Sequence, residues 1–146
     1  MGVKRIADVM TRDPRSVELE TPVVEAAKIL RDEDVGSLPV VRDGRVTGMV
    51  TDRDLAVRVI AEGRDPGTTT VGDVVSSEPV TVRQEQDLDE ALRLMARHQV
   101  RRLPVVDDGD RLVGIFAQAD VALTGDDERA GEVVEEISRP TNEARA

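Results

Sequence analysis

The stretch VGSLPVVRDGRVTGMVTDRDL at residues 35–55 recurs in altered form as VRRLPVVDDGDRLVGIFAQADV at residues 100–121. Both stretches contain Leu-Pro-Val-Val, then a turn rich in aspartate and glycine, and then a second apolar run. Two short apolar runs separated by Asp-Gly, here at 43–44 and 108–109, are typical of a β-hairpin. Because the same hairpin appears twice, the sequence predicts two copies of one structural unit.

The similarity between the copies extends outward from the hairpins over most of the chain. Residues 6–44 align with residues 71–109. One extra residue in the second copy, Asp110, shifts the register by one, so that Asp54 aligns with Asp120. We therefore interpret the chain as an internal duplication.

Each copy predicts the order strand, helix, strand, strand, helix, after a short opening helix. In the first copy the long helix is expected to begin at Thr21, with Pro22 in its first turn, where a missing N–H has no cost. In the second copy it begins at Asp87, and Glu90 stands at the spacing of a capping box. The apolar faces of the two helices are Val23, Ala26, Ala27 and Leu30, and Leu88, Ala91, Leu92 and Met95.

These patterns predict an α/β fold of the α+β type. One copy is too small to cover its own sheet, so the two repeats are expected to pack sheet to sheet about a pseudo-twofold axis. We place repeat 1 at residues 4–62, a linker at 63–70 and repeat 2 at 71–124. Residues 125–146 are expected to form an acidic C-terminal helix and a tail.

The composition excludes several classes of protein. The chain has 146 residues, with 20 basic and 30 acidic side chains, a net charge of -10, no cysteine, one histidine and one aromatic residue, Phe116. Without cysteine there is no disulfide framework, thiolate nucleophile or cysteine-ligated metal. A single histidine cannot form a multi-histidine metal site, and the negative charge argues against a nucleic-acid groove. With so few aromatic residues, the core must be aliphatic.

No catalytic arrangement is evident, so we expect a protein that is not an enzyme. There is no Ser-His-Asp set, no nucleotide-binding P-loop and no cysteine to activate. The acidic run at residues 107–110 lacks the spacing of a calcium-binding EF-hand, and no metal site is predicted. No apolar run approaches a membrane span and no secretory signal is recognised, which favours a cytoplasmic location without membrane contact.

The start of the closing helix in the first copy, Thr51-x-x-Asp54, has two interpretations. A strand that runs directly into a helix exposes free N–H groups, which suit a phosphate. The Thr51 hydroxyl could donate to that phosphate and the Asp54 carboxylate could accept ribose hydroxyls. The same spacing is also a capping box that only closes the helix end. In the second copy Ala117 replaces the threonine, while Asp120 remains.

The two hairpins, each followed by a glycine, two apolar residues and the Thr/Ala-x-x-Asp motif, resemble the CBS domain, and the pair resembles a CBS-pair, or Bateman, module. The resemblance covers roughly residues 4–124, and the stretch VTDRDLAVRVIAEGRDPGTTTVGD at residues 50–73 is similar to small stand-alone CBS-pair proteins of bacteria. It implies a non-enzymatic regulatory module that binds an adenosine-containing nucleotide in the cleft between the repeats. The implied ligands are AMP, ADP, ATP or S-adenosylmethionine, with no required cofactor, and a homodimer is implied as the assembly.

The resemblance also suggests which residues would hold the nucleotide. A basic residue just before the first strand of the hairpin reaches ligand phosphates in many CBS repeats, which singles out Arg101 and Arg102 in the second copy and Ser37 at the matching place in the first. Without an aromatic side chain for stacking, adenine would lie between aliphatic walls. The expected nucleotide-binding set is Thr51, Asp54, Arg53, Ser37, Val17, Arg101, Arg102 and Asp120, with Arg58, Val35 and Leu38 as secondary candidates.

Two other functions remain open from the sequence. The first is an interaction or stress-response protein whose clefts are empty and which acts by dimerisation or by docking of an unknown protein partner. The acidic C-terminal helix, or a small-residue face at Ala26-Ala27 and Ala91, would be its surface. The second is nucleic-acid binding through a basic island at residues 93–102, which the net charge disfavours.

Overall fold

The strands and helices follow the predicted order in both copies. A computed structural model describes residues 4–75 and 78–124, without the side chains of 122–124, so the predicted acidic helix and tail lie outside the described residues. The strands are β1 (Thr11–Arg12), β2 (Val17–Glu18), β3 (Ser37–Arg42), β4 (Arg45–Thr51), β5 (Val82–Arg83), β6 (Arg102–Val106) and β7 (Leu112–Ala117). The helices are α1 (Val23–Glu33), α2 (Asp52–Leu55), α3 (Val71–Val74) and α4 (Leu88–His98). A π-helical segment (Ala56–Ile60) continues α2, and 3-10 helices cover Ile6–Asp8 and Gln118–Thr124.

The strands form two sheets, one in each lobe. Among the described residues the first sheet has the order β2-β3-β4 and the second β1-β7-β6-β5. In each lobe an antiparallel hairpin is extended by a parallel strand, which α1 or α4 connects to it. Each lobe has an aliphatic core, and Phe116, fully buried, is in the second. The predicted α/β fold of two packed repeats is confirmed.

The opening segment of each repeat packs into the lobe formed mainly by the other repeat. Val71 and Val74 of α3 belong to the core of the first lobe, whereas Ile6 and Met10 belong to the core of the second. The Val71 N–H donates to the Thr21 carbonyl at 2.8 Å. Strand β1 of the first repeat likewise pairs with β7 of the second repeat. The two lobes are therefore interlocked along the chain.

A small third core joins the lobes near the pseudo-twofold axis. Val41, Val46 and Val106 are buried there, and Leu112 packs against them. Val46 N–H donates to the Asp110 carbonyl, and Leu112 N–H to the Gly44 carbonyl, both at 3.0 Å. The two hairpins thus touch through backbone as well as through side chains.

The predicted linker is docked rather than extended. The carbonyls of Pro66 and Thr69 accept hydrogen bonds from the first two N–H groups of α1, at 3.1 and 2.9 Å. Thr69 is itself buried, with 7% of its surface exposed. The free donors that begin every helix are here satisfied by the segment that connects the repeats.

The predicted start of α1 and the predicted capping box of α4 need correction. Pro22 is the residue that caps α1, and the helix begins at Val23, because Pro22 has an extended backbone. Asp87 caps α4 as expected, but its side chain makes no capping hydrogen bond, so the predicted capping box is not formed. The Glu90 carboxylate instead accepts from the Gln86 amide at 2.8 Å.

The predicted small-residue face is also wrong in part. Ala26 and Ala91 are completely buried inside their own lobes and cannot meet a second copy of the chain. Ala27, expected on the apolar face, is exposed. Helical periodicity places Ala27 at the margin of the apolar face, where a small side chain gives no burial signal of its own.

The two hairpin turns differ because of the extra residue. In the first, Asp43 and Gly44 both have positive φ, 52° and 81°, as a tight two-residue turn requires. In the second, positive φ is found at Asp110, at 63°, and not at Gly109. The Asp107 carboxylate accepts from the N–H groups of Arg111 and Gly109, and these bonds lower the pKa of Asp107. The predicted Asp108-Gly109 tight turn is therefore a wider loop closed by an aspartate side chain.

Candidate functional site

A cleft of about 440 Å³ lies where the two lobes meet. Repeat 1 contributes two segments to it, around β1 and after α1, and repeat 2 contributes the adjacent ends of β6 and β7. The lining residues are Thr11, Asp13, Pro14, Arg15, Glu33, Val35, Leu38, Arg102, Ile115 and Ala117. The cleft is thus built jointly by both copies.

Arg102 is a half-buried cation that lines the cleft. It begins β6, opposite Ala117 of β7, and its guanidinium donates across the lobe junction to the backbone carbonyl of Ser37. Burial lowers the pKa of the Arg102 guanidinium, and the negative charges of Asp120 and Glu33 partly oppose this effect. A half-buried cation that keeps its charge is suited to bind an anion.

Asp120 lies behind Ala117, at the start of the last described helix. Only 9% of its surface is exposed. Its Oδ2 accepts from the Ala117 N–H at 2.8 Å. Burial raises the pKa of the Asp120 carboxyl, against the opposing effects of that hydrogen bond and of the Arg102 charge. Asp120 and Arg102 therefore form a partly desolvated pair of opposite charges without direct contact.

The walls and the rim of the cleft differ in chemistry. Val35, Leu38 and Ile115 supply aliphatic surface. At the rim Arg15 and Glu33 form an ion pair with Nη1 and Oε1 3.5 Å apart, and both side chains are exposed. Aliphatic walls beside cationic groups can accept a ligand that combines a flat apolar part with an anionic part.

Thr51 and Asp54 form the capping box that the sequence offered as the second interpretation. The Thr51 Oγ1 accepts from the Asp54 N–H, and the Asp54 Oδ2 accepts from the Thr51 N–H, both at 3.0 Å. The remaining carboxylate oxygen of Asp54 is 3.8 Å from Nε of Arg58. Both polar side chains are thus engaged within their own helix start.

The other predicted residues lie in separate places. Val17 is in the core of the first lobe with 3% of its surface exposed, and it does not line the cleft, whereas Val35 and Leu38 do. Arg53 and Arg101 are exposed. The structure therefore brings Arg102 to Ser37 and places Asp120 within reach of the Arg102 charge. Thr51, Asp54 and Arg53 lie at the other helix start, which Ser37 also adjoins because it pairs with Thr51.

Several residues of the cleft were missed by the sequence interpretation. Arg15 and Glu33 come from segments outside the recurrent hairpin, and no motif marks them. Gln118 has a buried Oε1 for which the described residues provide no donor. Gln118 is the first residue of the last described helix, at the place of Asp52 in the first copy, and a polar side chain at such a helix start was the available signal for it.

The predicted basic island is divided between two surfaces. Arg93, Arg97 and His98 are exposed on α4, while Arg102 is directed into the cleft.

No helix in the described part of the chain is long and apolar enough to cross a membrane. Residues 4–75 and 78–124 also contain no cluster of three or more histidine, aspartate or glutamate side chains that could hold a metal ion.

Comparison with known proteins identifies relatives that match most of this chain. YhcV of Bacillus subtilis, a CBS domain-containing protein, is 42% identical over 134 residues, which cover 91% of this chain and 94% of YhcV. Hypoxic response protein 1 of Mycobacterium tuberculosis is 38% identical and matches 79% of this chain and 80% of its own.

Solved structures show the same architecture. A crystal structure of Hypoxic Response Protein I with two coordinated zinc ions is 36% identical, covers 82% of this chain and 98% of its own, and has a TM-score of 0.76. CBSX2 of Arabidopsis thaliana in complex with AMP is 30% identical, covers 86% and 98%, and has a TM-score of 0.73. The family model of the CBS domain matches residues 6–60 and again 71–124. This chain therefore belongs to the CBS domain family and carries two copies of the domain as a CBS pair.

Proposed function

We propose that this CBS pair is a non-enzymatic regulatory module that binds an adenosine-containing nucleotide in the cleft between its repeats. The observation that carries the proposal is the half-buried guanidinium of Arg102 between aliphatic walls, in a chain of net charge -10. The overall charge repels anions, so a bound phosphate needs a local cation of this kind. The complex of the related CBSX2 with AMP supports the choice of ligand.

In this proposal each part of the nucleotide meets a different part of the cleft. Adenine lies between the aliphatic side chains of Val35, Leu38 and Ile115. The phosphate is bound by Arg102. Asp120 accepts from the ribose hydroxyls, since a desolvated carboxylate is a strong acceptor for them. The Oε1 of Gln118 is a further acceptor in the same helix start.

A second, weaker position is proposed at the first-copy helix start. Thr51, Asp54 and Arg53 would contact a nucleotide there, with Ser37 beside them, because Ser37 pairs with Thr51 in the β3–β4 register. The Thr51 hydroxyl can still donate and the second oxygen of Asp54 can still accept while the capping box is intact. The cation beside them, Arg53, is exposed, so its attraction for a phosphate is screened more strongly than that of the half-buried Arg102. The Arg102 cleft is therefore expected to be occupied first.

Occupancy of the cleft would act on the relation between the two lobes. The ligand contacts groups from both repeats, so it stabilises their packed arrangement relative to a looser one. Such coupling requires a difference in affinity between the two arrangements. The regulated partner would be a protein that distinguishes them.

A thermal-shift series tests the proposal directly. We expect AMP, ADP, ATP or S-adenosylmethionine to raise the melting temperature of the full chain, because a ligand at a hundred times its Kd adds about 2.7 kcal/mol of stability. Inosine monophosphate at the same concentration distinguishes adenine from other bases. Unchanged melting with every adenosine compound would contradict the proposal.

Two matched variants locate the binding site. Ala117→Met places a longer side chain in the cleft and should abolish the shift, because Ala117 lines it. Ala119→Met carries the same change at an exposed position two residues away and should keep the shift. Equal behaviour of the two variants would show that the nucleotide binds outside this cleft.

We further propose that the chain forms a homodimer, which is also the assembly required if the protein acts without a ligand. Val57 and Ile60 are large apolar side chains that remain 46% and 76% exposed in the helical segment after α2. Burial of such side chains against a second copy contributes about 1.5–3 kcal/mol each. The double variant Val57→Ser/Ile60→Ser should elute as a monomer in size-exclusion chromatography with light scattering, whereas Ala61→Ser should not. A dimer that persists in the double variant would contradict this surface.

A further inference from the structure

Three arginines converge at the end of the β3–β4 hairpin that lies away from the cleft. Arg42 and Arg45 are partners across the hairpin turn. Arg45 also faces Arg111 of the second lobe across an isolated antiparallel bridge. Together with Asp43 and Thr47 these residues line a concave surface of about 370 Å³. The surface is therefore made by both repeats.

This surface is separate from the proposed nucleotide site. The cleft lies at the beginning of β3 and the arginines at its end, with Ser37 and Arg42 as the two limits of the strand. Five residue steps in a strand span about 16 Å. An AMP molecule bound to Arg102 therefore occupies different groups.

The backbone holds Arg45 and Arg111 opposite each other. The hydrogen bonds Val46 N–H to Asp110 carbonyl and Leu112 N–H to Gly44 carbonyl lie on the two sides of the bridge. Arg45 and Arg111 are thus a non-hydrogen-bonded pair, for which the Cα atoms are about 4.5 Å apart and the side chains are closest. The two cations cannot separate at their base without opening the lobe junction.

The three positive charges are not neutralised by ion pairs. None of these guanidinium groups is within 4 Å of a carboxylate oxygen in residues 4–75 and 78–124. Like charges directly opposite in an antiparallel pair are destabilising. Acidic side chains outnumber basic ones by 30 to 20 in this chain, so the lack of pairing is not due to a shortage of carboxylates.

The turn also leaves room for the third cation. Gly44 has positive φ, and a Cβ built there would lie 3.0 Å from Nη1 of Arg111. A larger residue there would require this guanidinium to shift by a few tenths of an ångström. Glycine therefore serves both the turn and the approach of the arginine.

We propose that Arg42, Arg45 and Arg111 bind a compact phosphate-type oxyanion at the lobe junction. Among the lining residues the three arginines outnumber the one carboxylate, Asp43. A further carboxylate, Asp107, accepts from the Arg111 N–H and interacts with the Arg111 charge. The lining itself keeps an excess of positive charge, which suits an oxyanion such as hydrogen phosphate. Guanidinium groups bind phosphate through paired N–H donors. The lining has no aliphatic wall like that of the cleft, and the Thr47 hydroxyl is already directed to the Val40 carbonyl at 3.2 Å.

The test is titration of inorganic phosphate into the full chain at constant ionic strength, followed by calorimetry. Arg45→Gln and Arg111→Gln should each weaken phosphate binding about tenfold, because each removes a hydrogen bond between charged groups. Arg93→Gln, an equally exposed arginine on α4, is the matched control and should bind phosphate like the original chain. Equal affinity in all four proteins would overturn the proposal.

Thermal unfolding supplies a second, independent readout. Without phosphate at low salt, Arg111→Gln should melt at a higher temperature than the original chain, since the repulsion between Arg45 and Arg111 is relieved. With saturating phosphate this order should reverse. If sodium chloride of the same ionic strength produces the same reversal, the effect is screening and the site is rejected. AMP in place of phosphate distinguishes a nucleotide phosphate from the free ion, and we expect Arg45→Gln to leave AMP affinity unchanged.

Discussion

The helix starts of the two repeats use the same backbone contact but place their aspartates in different environments. In both, the aspartate accepts from the N–H three residues earlier, at 3.0 Å in the first copy and 2.8 Å in the second. Asp54 receives a reciprocal bond through the Thr51 hydroxyl and lies near Arg58. Asp120 has no such hydroxyl, is nearly buried and interacts with the charge of Arg102.

From this difference we expect that the more complete motif is not the better binding site. In the first copy the Thr51 hydroxyl and one carboxylate oxygen of Asp54 are engaged in the capping box, and the second oxygen of Asp54 faces Arg58, so a ligand would share these groups with the helix start. In the second copy the missing hydroxyl leaves the helix start less well capped, but the cleft beside it contains a desolvated cation. Capping and ligand binding compete for the same atoms, so the two copies can divide these roles between them.

The largest effect that we expect is the loss of nucleotide affinity when Arg102 is removed. Arg102→Ala is expected to weaken AMP binding about a hundredfold, because a hydrogen bond to a charged group contributes up to about 3 kcal/mol. Arg101→Ala, its exposed neighbour, should change affinity by about twofold at most. Isothermal titration calorimetry measures both. A greater loss in Arg101→Ala would move the phosphate to the outer surface.

Neutralising Asp120 should weaken nucleotide binding but raise stability at pH 7. Asp120→Asn keeps an acceptor for the Ala117 N–H but is expected to weaken AMP binding about tenfold. Burial raises the pKa of Asp120, so the folded state binds more protons than the unfolded state between the ordinary and the raised pKa, and stability falls as pH rises through that window. The variant should therefore be more stable than the original chain at pH 7, and this advantage should vanish as the pH falls below the ordinary pKa.

The first-copy aspartate provides the matched control. Asp54→Asn should lower stability by up to about 1 kcal/mol, because it loses a charge at a helix N-terminus and the interaction with Arg58. Urea unfolding at several pH values compares the two variants. Stabilisation by Asp54→Asn, or destabilisation by Asp120→Asn at pH 7, would contradict the assigned environments.

Exchange of the capping residues should change stability in opposite directions. Thr51→Ala removes the acceptor for the Asp54 N–H and should cost about 1 kcal/mol, whereas Ala117→Thr adds an acceptor for the Asp120 N–H and should gain a similar amount. Unfolding free energies from urea titration give both values. If Ala117→Thr is destabilising, the second helix start cannot adopt the capping box of the first.

The smallest expected effect is at Arg58. Its Nε is 3.8 Å from the Asp54 carboxylate and its side chain is 45% exposed. We expect Arg58→Ala to change the unfolding free energy by less than about 0.5 kcal/mol, and less still at high salt. A loss above about 1 kcal/mol would mean that Arg58 holds Asp54 in place and that the capping box depends on it.

The fold could be predicted from the sequence because both copies carry the same pattern of hairpin and amphipathic helix. Two hairpins and two amphipathic helices at matching positions leave few alternatives, and the buried face of α4, from Leu88 to Met95, is as expected. The wrong predictions concern residues whose conformation or exposure depends on the local backbone geometry. Pro22 and Ala27 sit at margins of a helix, and the insertion of Asp110 moves positive φ away from Gly109.

The candidate site was less accessible to sequence reasoning. The motif directed attention to Thr51 and Asp54, whose side chains are engaged in the helix start. Ser37 and Arg102 are 65 residues apart and meet only because the lobes pack face to face. Arg15 belongs to a segment exchanged toward the second lobe, so its place beside the cleft follows from tertiary structure alone.

The exchange of opening segments has a consequence for the origin of the chain. A single ancestral repeat that gave up its first segment in this way could cover its core only by taking the same segment from another copy, as in a domain-swapped dimer. Fusion of two such copies in one gene keeps every contact and makes the exchange intramolecular. Loss of the first ten residues would then remove Ile6 and Met10 from the core of the second lobe. A truncation at the N-terminus would therefore destabilise the lobe that is formed mainly by the second repeat.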